Sequence, residues 1–220
     1  MAIAFGNITT SNVNPNGTTQ TLAHTQNTGS GGTLVVCITM SNSVTFSGAT
    51  YAGIAMTLIS NNNVAASSQR VAAYYLQSPA TGSNNIVVSF SGSQFNSTSI
   101  MAQSFTGAGA LDTSAFTDLA STPNSQSLTI LADSVIYATG LSSNSQNVDY
   151  SIGGSMRTPA FNAHNTNVIV EGAWSATGLS AGAQNVTTRT DFGLITNYRF
   201  AIKEAASVVN STGNMMMMFS

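Results

Sequence analysis

Apolar residues along this chain recur with a period of two, and nowhere do they hold the 3.6-residue period of a helix for three turns. In Ile86-Val87-Val88-Ser89-Phe90 the residues Ile86, Val88 and Phe90 share one face of a strand. Tyr198, Phe200 and Ile202 do the same, with Arg199 and Lys203 on the opposite face, so this last strand is expected to bury one side only. Leu34-Val35-Val36-Cys37-Ile38 is apolar at every position, the pattern of a central strand covered on both faces. Strands are expected over residues 3–10, 19–25, 33–40, 43–47, 56–60, 70–76, 85–91 and 97–106. The second half offers 127–130, 134–140, 147–152, 167–175, 184–190 and 198–203. Asn16-Gly17, Gly31-Gly32 and Gly153-Gly154 mark chain reversals between them.

The fold class this implies is all-β: an antiparallel β-sandwich, jelly-roll-like, with extra edge strands and an extended C-terminal tail. Residues 121–127 hold Pro123 but are too few to act as a linker, and the two halves show no repeat of one another. The expected organisation is one domain over residues 1–205, followed by a tail over 206–220.

Charge is scarce. Only 5% of residues are Asp, Glu, Lys or Arg, against roughly 25% in an average globular domain. Ser, Thr, Asn, Gln and Gly take their place, so the surface hydrogen-bonds to water without repelling its neighbours, which suits dense packing in an assembly. The five cations are scattered as Arg70, Arg157, Arg189, Arg199 and Lys203 and cannot neutralise a run of phosphates, so no nucleic-acid partner is expected. Hydrophobic residues make up 42% of the chain and cluster in β-prone runs, enough for a core and against disorder. With one cysteine there is no intrachain disulfide, and Cys37 reads as a small buried side chain. Met1–Asn7 has neither a basic region nor a long apolar stretch, so neither a signal peptide nor a membrane anchor is expected.

Catalysis needs a titratable or nucleophilic group beside a partner that activates it. His24 and His164 lie in polar segments and read as surface or edge residues, so a Ser/His/Asp or Cys/His arrangement is not expected. Among the carboxylates, Asp112 and Asp133 precede Thr and Ser in the manner of turn residues. Glu171 is the most strand-embedded acid, but it faces away from Trp174 on a regular strand, so the two do not make a glycosidase pocket. Asp112 with Asp118 and the carbonyls of a 107–111 loop would be the calcium candidate, but no dense ligand run is present, so no metal and no cofactor are expected. Trp174 and the tyrosines, set among Asn and Gln, leave one rival open: a glycan-binding platform. Against it, Trp174 in an alternating strand reads as half-buried core.

Between residues 33 and 110 the sequence becomes recognisable. Val44-Thr-Phe-Ser-Gly-Ala-Thr-Tyr51 leads into Ala52 to Leu58, then Tyr74-Tyr75-Leu76-Gln-Ser-Pro79-Ala-Thr-Gly82. Asn85-Ile-Val-Val-Ser-Phe-Ser-Gly92 and Met101-Ala-Gln-Ser-Phe105-Thr-Gly107 follow. This run resembles a β-sandwich module of phage structural proteins and bacterial surface proteins, with Tyr74 where that family usually carries Trp. The resemblance implies a fold and a milieu, and no catalytic residue. It implies a virion structural protein assembled in the host cytoplasm. The expected role is that of a capsid decoration or cement protein, partnered by the major capsid protein or another virion protein, homo-oligomeric, and away from membranes. A glycan-binding sandwich of a phage fibre or bacterial surface is the alternative.

The tail carries the expected partner contact. After Gly213-Asn214 come Met215, Met216, Met217, Met218 and Phe219, an apolar plug of flexible side chains suited to filling an irregular groove. With so little charge available, attachment to a partner is expected to change little between low and moderate salt in a binding titration. A steep loss over that range would expose a dominant charged contact.

Overall fold

The structure is a computed structural model that describes residues 2–13, 15–26, 32–41, 44–64, 69–94, 98–121, 124–142, 148–152, 155–157, 161–165, 168–175, 179–190 and 194–205. The described residues form eighteen strands and no helix. The first nine are β1 (Ala4–Val13), β2 (Gly17–Gln26), β3 (Gly32–Ser41), β4 (Phe46–Tyr51), β5 (Ile54–Ala55), β6 (Thr57–Val64), β7 (Gln69–Gln77), β8 (Gly82–Gln94) and β9 (Thr98–Thr106). The second nine are β10 (Ala108–Ser121), β11 (Asn124–Ile130), β12 (Val135–Ser142), β13 (Val148–Ile152), β14 (Ser155–Arg157), β15 (Phe161–Asn165), β16 (Val168–Trp174), β17 (Gly182–Thr190) and β18 (Leu194–Glu204).

These strands build four antiparallel sheets. A first inner sheet runs β1-β9-β3-β7-β6, and a first outer sheet β2-β8-β4-β5 lies against it. A second inner sheet runs β10-β18-β12-β16-β15, with a second outer sheet β11-β17-β13-β14. Adding nine to each number in the first pair gives the second pair, strand for strand. The chain is therefore two nine-stranded sandwiches of one topology in tandem, which corrects the expectation that the halves do not repeat.

Three cores hold the layers together. Leu34, Val36 and Ile38 point from β3 toward the first outer sheet, where Tyr51, Ile86, Val88 and Phe90 meet them. Ile136, Ala138 and Ala201 face Leu128, Ile130 and Val186 in a smaller core within the second sandwich. The third core joins the inner sheets: Val35, Cys37, Met101 and Phe105 pack against Val135, Tyr137, Trp174 and Phe200. At its margins the contact is reciprocal. β1 lies against β15, and their counterparts β10 and β6 lie against one another, as in an isologous dimer interface.

The central strands of both inner sheets are thus covered on both faces, which explains the continuous apolar run of β3. It also overturns the one-sided reading of the last strand. Arg199 is fully buried on one face of β18 while Phe200 and Ile202 are buried around it. Tyr74 and Tyr75 do take opposite faces, but Tyr74 belongs to the first sandwich core and Tyr75 packs against the central one.

The longest strand, β10, lies where the sequence pattern suggests no strand and a loop over 107–111. Its run AGALDTSAFTDLAS is poor in β-branched residues. Pairing with β18 makes it a strand, with register shifts at three places that bend this sheet edge. The hairpin strand β14 and the edge strand β15 escape the sequence pattern for a different reason: they are short and supported by one neighbour.

Trp174 sits at the centre of the contact between sandwiches. Its ring centroid is 4.5 Å from Phe105 on the first inner sheet and 4.5 Å from Tyr137 on the second, with Phe200 at 5.8 Å. Trp174→Ala is expected to destabilise the protein by about 3–5 kcal/mol in denaturant unfolding, as a large-to-small change at a buried aromatic. A cost below about 1 kcal/mol would mean that the two sandwiches do not depend on this contact.

Candidate functional site

A connected group of buried polar side chains surrounds His24. This residue is 1% exposed, not at the surface as its polar neighbours suggested. β2 alternates, so Leu22, His24 and Gln26 all point inward while Thr21, Ala23 and Thr25 face solvent. His24 Nδ1 lies 2.9 Å from Thr9 Oγ1 on β1, and Nε2 lies 2.7 Å from Ser104 Oγ on β9. The Ser104 hydroxyl in turn donates to Gln26 Oε1 at 2.5 Å. Tyr51 sets its ring edge toward the imidazole at 6.3 Å and donates its hydroxyl to the Gly82 carbonyl at 3.1 Å.

Proton bookkeeping decides what this cluster does. Ser104 has one proton, and Gln26 receives it. The imidazole must then donate from Nε2 to Ser104 Oγ and accept the Thr9 hydroxyl at Nδ1. A histidine that donates to a serine is not poised to take that serine's proton, and Ser104 itself is fully buried. The contacts satisfy inward polar groups and create no accessible nucleophile. Burial also lowers the His24 pKa from 6.5 to about 4, so the ring is neutral at physiological pH.

The other expected candidates separate in space. Asp112 is in strand β10 and not in a turn. Its Oδ2 accepts the Leu131 amide at 2.7 Å and the Ser134 hydroxyl at 3.2 Å, so it caps the β11–β12 turn from across the sheet. Asp133 occupies that turn at φ 62°, as its sequence context suggested. Glu171 lies in β16 and His164 in β15, with side chains outside the described residues, as is that of Asp118. No group of three or more potential metal ligands occurs among the described residues. Cys37 is buried with its thiol pushed up to about 12 by desolvation, an effect that a hydrogen bond with Tyr137 partly offsets. Trp174 is 7% exposed inside the central core and offers no platform to a sugar. The apolar plug, Met215 to Phe219, lies outside the described residues.

One hollow of about 290 Å³ opens where the two sandwiches join, lined by Gly32, Gln77, Ser78, Ala108–Ala110 and Lys203–Ala205. Next to Gly32, the Thr33 hydroxyl donates to the carbonyls of Ala108 and Gly109, both at 3.0 Å. The lining pairs an amine, a carboxylate and an amide with backbone, and contains no histidine or cysteine to activate Ser78. The Arg199 guanidinium, sealed between β18 and the second outer sheet, donates to Gln126 Oε1 and to Thr188 Oγ1 at 3.1 Å. Reading β18 as one-sided hid this group from the sequence. No protein-family model, no curated protein and no solved structure matches this chain.

The His24 cluster makes stability depend on pH. The folded protein holds the ring neutral down to about pH 4, whereas the unfolded chain protonates it near 6.5. The unfolded state therefore binds more protons between these values. The contribution is complete above pH 6.5 and is lost as pH falls toward 4. Unfolding midpoints are expected to drop across that window, and His24→Gln should lower the midpoint at neutral pH while removing most of the slope. An unchanged slope in the variant would assign the titration to another group.

Proposed function

We propose that this chain is a structural component of a phage virion, acting as a capsid decoration or cement protein. The observation that carries the reading is a surface nearly free of charge on a doubled, fully layered β framework. Such a surface makes neutral hydrogen bonds with neighbours at close range and adds little repulsion when many copies are crowded together. Two further features support it. The module-like run over residues 33–110 falls almost wholly within the first sandwich. Consecutive strands within each unit also pass largely between opposing sheets, in keeping with a jelly-roll-like order. The work is mechanical: the framework covers seams between shell subunits and is held by apolar contact, with no chemical turnover. The glycan-binding alternative drew on Trp174 and the tyrosines set among Asn and Gln; burial of Trp174, Tyr51, Tyr74 and Tyr137 weighs against it.

Mass spectrometry of purified virions tests this directly, with the chain expected in a fixed copy ratio to the major shell protein. Its absence from the particle would overturn the proposal. The apolar plug supplies a second test. Burying a Met or Phe side chain is worth about 1.5–3 kcal/mol. Deletion of residues 215–220 is expected to leave the unfolding midpoint unchanged while weakening attachment to shells at least about tenfold. Wild-type attachment by the truncated chain would show that the tail is idle.

A further inference from the structure

The outer sheets of the two sandwiches can be aligned residue by residue. Tyr51 and Ile152 stand at the ends of equivalent strands, pairing with Ile54 and Ser155, and their partners on the next strand are Ile86 and Val186. Gly82 and Gly182 open those next strands, each at positive φ, 90° and 115°. The ladders then equate Leu22 with Gln126, His24 with Leu128, Gln26 with Ile130, and Val88 with Thr188. Polar and apolar are exchanged at every one of these four positions.

We infer that the buried polar groups form a pairing code that keeps each outer sheet on its own inner sheet. Two sandwiches of the same topology in one chain present interchangeable apolar faces, and tandem repeats misassemble when faces are interchangeable. Here the exchange is blocked in both directions. Arg199 on the second inner sheet donates to Gln126 and Thr188. Against the first outer sheet it would face Leu22 and Val88, whose side chains accept no hydrogen bond, so two placed acceptors would be replaced by at most the neighbouring Gln20 amide oxygen. Ser104 on the first inner sheet bonds His24 and Gln26. Against the second outer sheet it would face Leu128 and Ile130. A buried polar group left without its acceptor is penalised far more than the correct pair is favoured, so these contacts discriminate more than they stabilise.

The test erases the code in the full-length chain. One variant combines Arg199→Ile, Gln126→Leu and Thr188→Val, another combines His24→Leu, Gln26→Ile and Ser104→Ala, and a third carries all six changes. Each is diluted from denaturant over a range of chain concentrations, and native monomer is measured by size-exclusion chromatography with light scattering, with buried Trp174 emission marking correct inner-sheet contact. The six-fold variant is expected to yield at least about threefold less native monomer than the wild type, the loss growing with concentration. The monomer it does yield should unfold at a midpoint equal to or above wild type. Wild-type recovery in all three variants overturns the inference. So does a fall in midpoint matching the fall in yield, because the groups would then serve only the stability of their own sandwich. If the six-fold variant does not refold, the two single-network variants decide by the same criteria, and failure of both to give any monomer also counts against the code.

Discussion

In two of the four sheets the central strands have no face left for solvent, and the apolar contact between these sheets is the constraint on which the rest depends. Once the inner sheets meet, their strands need apolar or fully bonded side chains at successive positions. Val35 and Cys37 serve the central core while Leu34, Val36 and Ile38 serve the outer one. The aromatic group of Phe105, Tyr137, Trp174 and Phe200 fills the space where the two sandwiches cross. Its tilted and edge-on arrangements are those that aromatic quadrupoles favour. Burial of Cys37 in the same layer keeps the single thiol protonated and away from solvent reagents, an effect its hydrogen bond with Tyr137 opposes in part.

A chain with so few charges has an unusual way of handling buried polarity. Among the described residues most buried polar side chains are neutral, Gln20, Gln26, Thr33, Gln103, Ser104 and Thr188 included. Neutral groups lose less on leaving water, and each hydroxyl or amide can be satisfied by one or two neighbours. His24 follows the same logic by giving up its proton. Arg199 is the exception, since a guanidinium stays charged at any accessible pH, and its burial requires acceptors placed for it on the facing sheet.

The same economy of charge shapes the outside. Exposed apolar residues such as Phe5, Ile8 and Val13 lie along β1, an edge strand with no charged residue. In isolation such an edge invites further pairing. Within a crowded assembly, neutral edges of this kind would let neighbours approach closely, as the proposed mechanical role requires.

Much of the strand pattern was legible in the chain because the alternation of side chains is a local property of extended backbone. Ile86, Val88 and Phe90 announced one buried face, and Leu34 to Ile38 announced two; both readings held. What each face meets is not local. The alternation about Arg199 read as core on one side and water on the other, but the second outer sheet covers that side. His24 looked exposed among polar neighbours, yet β1 and β9 supply Thr9 and Ser104 to enclose it. β10 has little strand character of its own and exists because β18 offers it a ladder. The repeat was hidden because strand order is set by long-range pairing, which tolerates unlike residues wherever packing is satisfied. Sequence alone determined that this protein is antiparallel β, nearly uncharged, with apolar stripes at period two. Only the tertiary structure decided that there are two stacked sandwiches, since the partner of a sheet face is chosen by complementary burial across the whole chain.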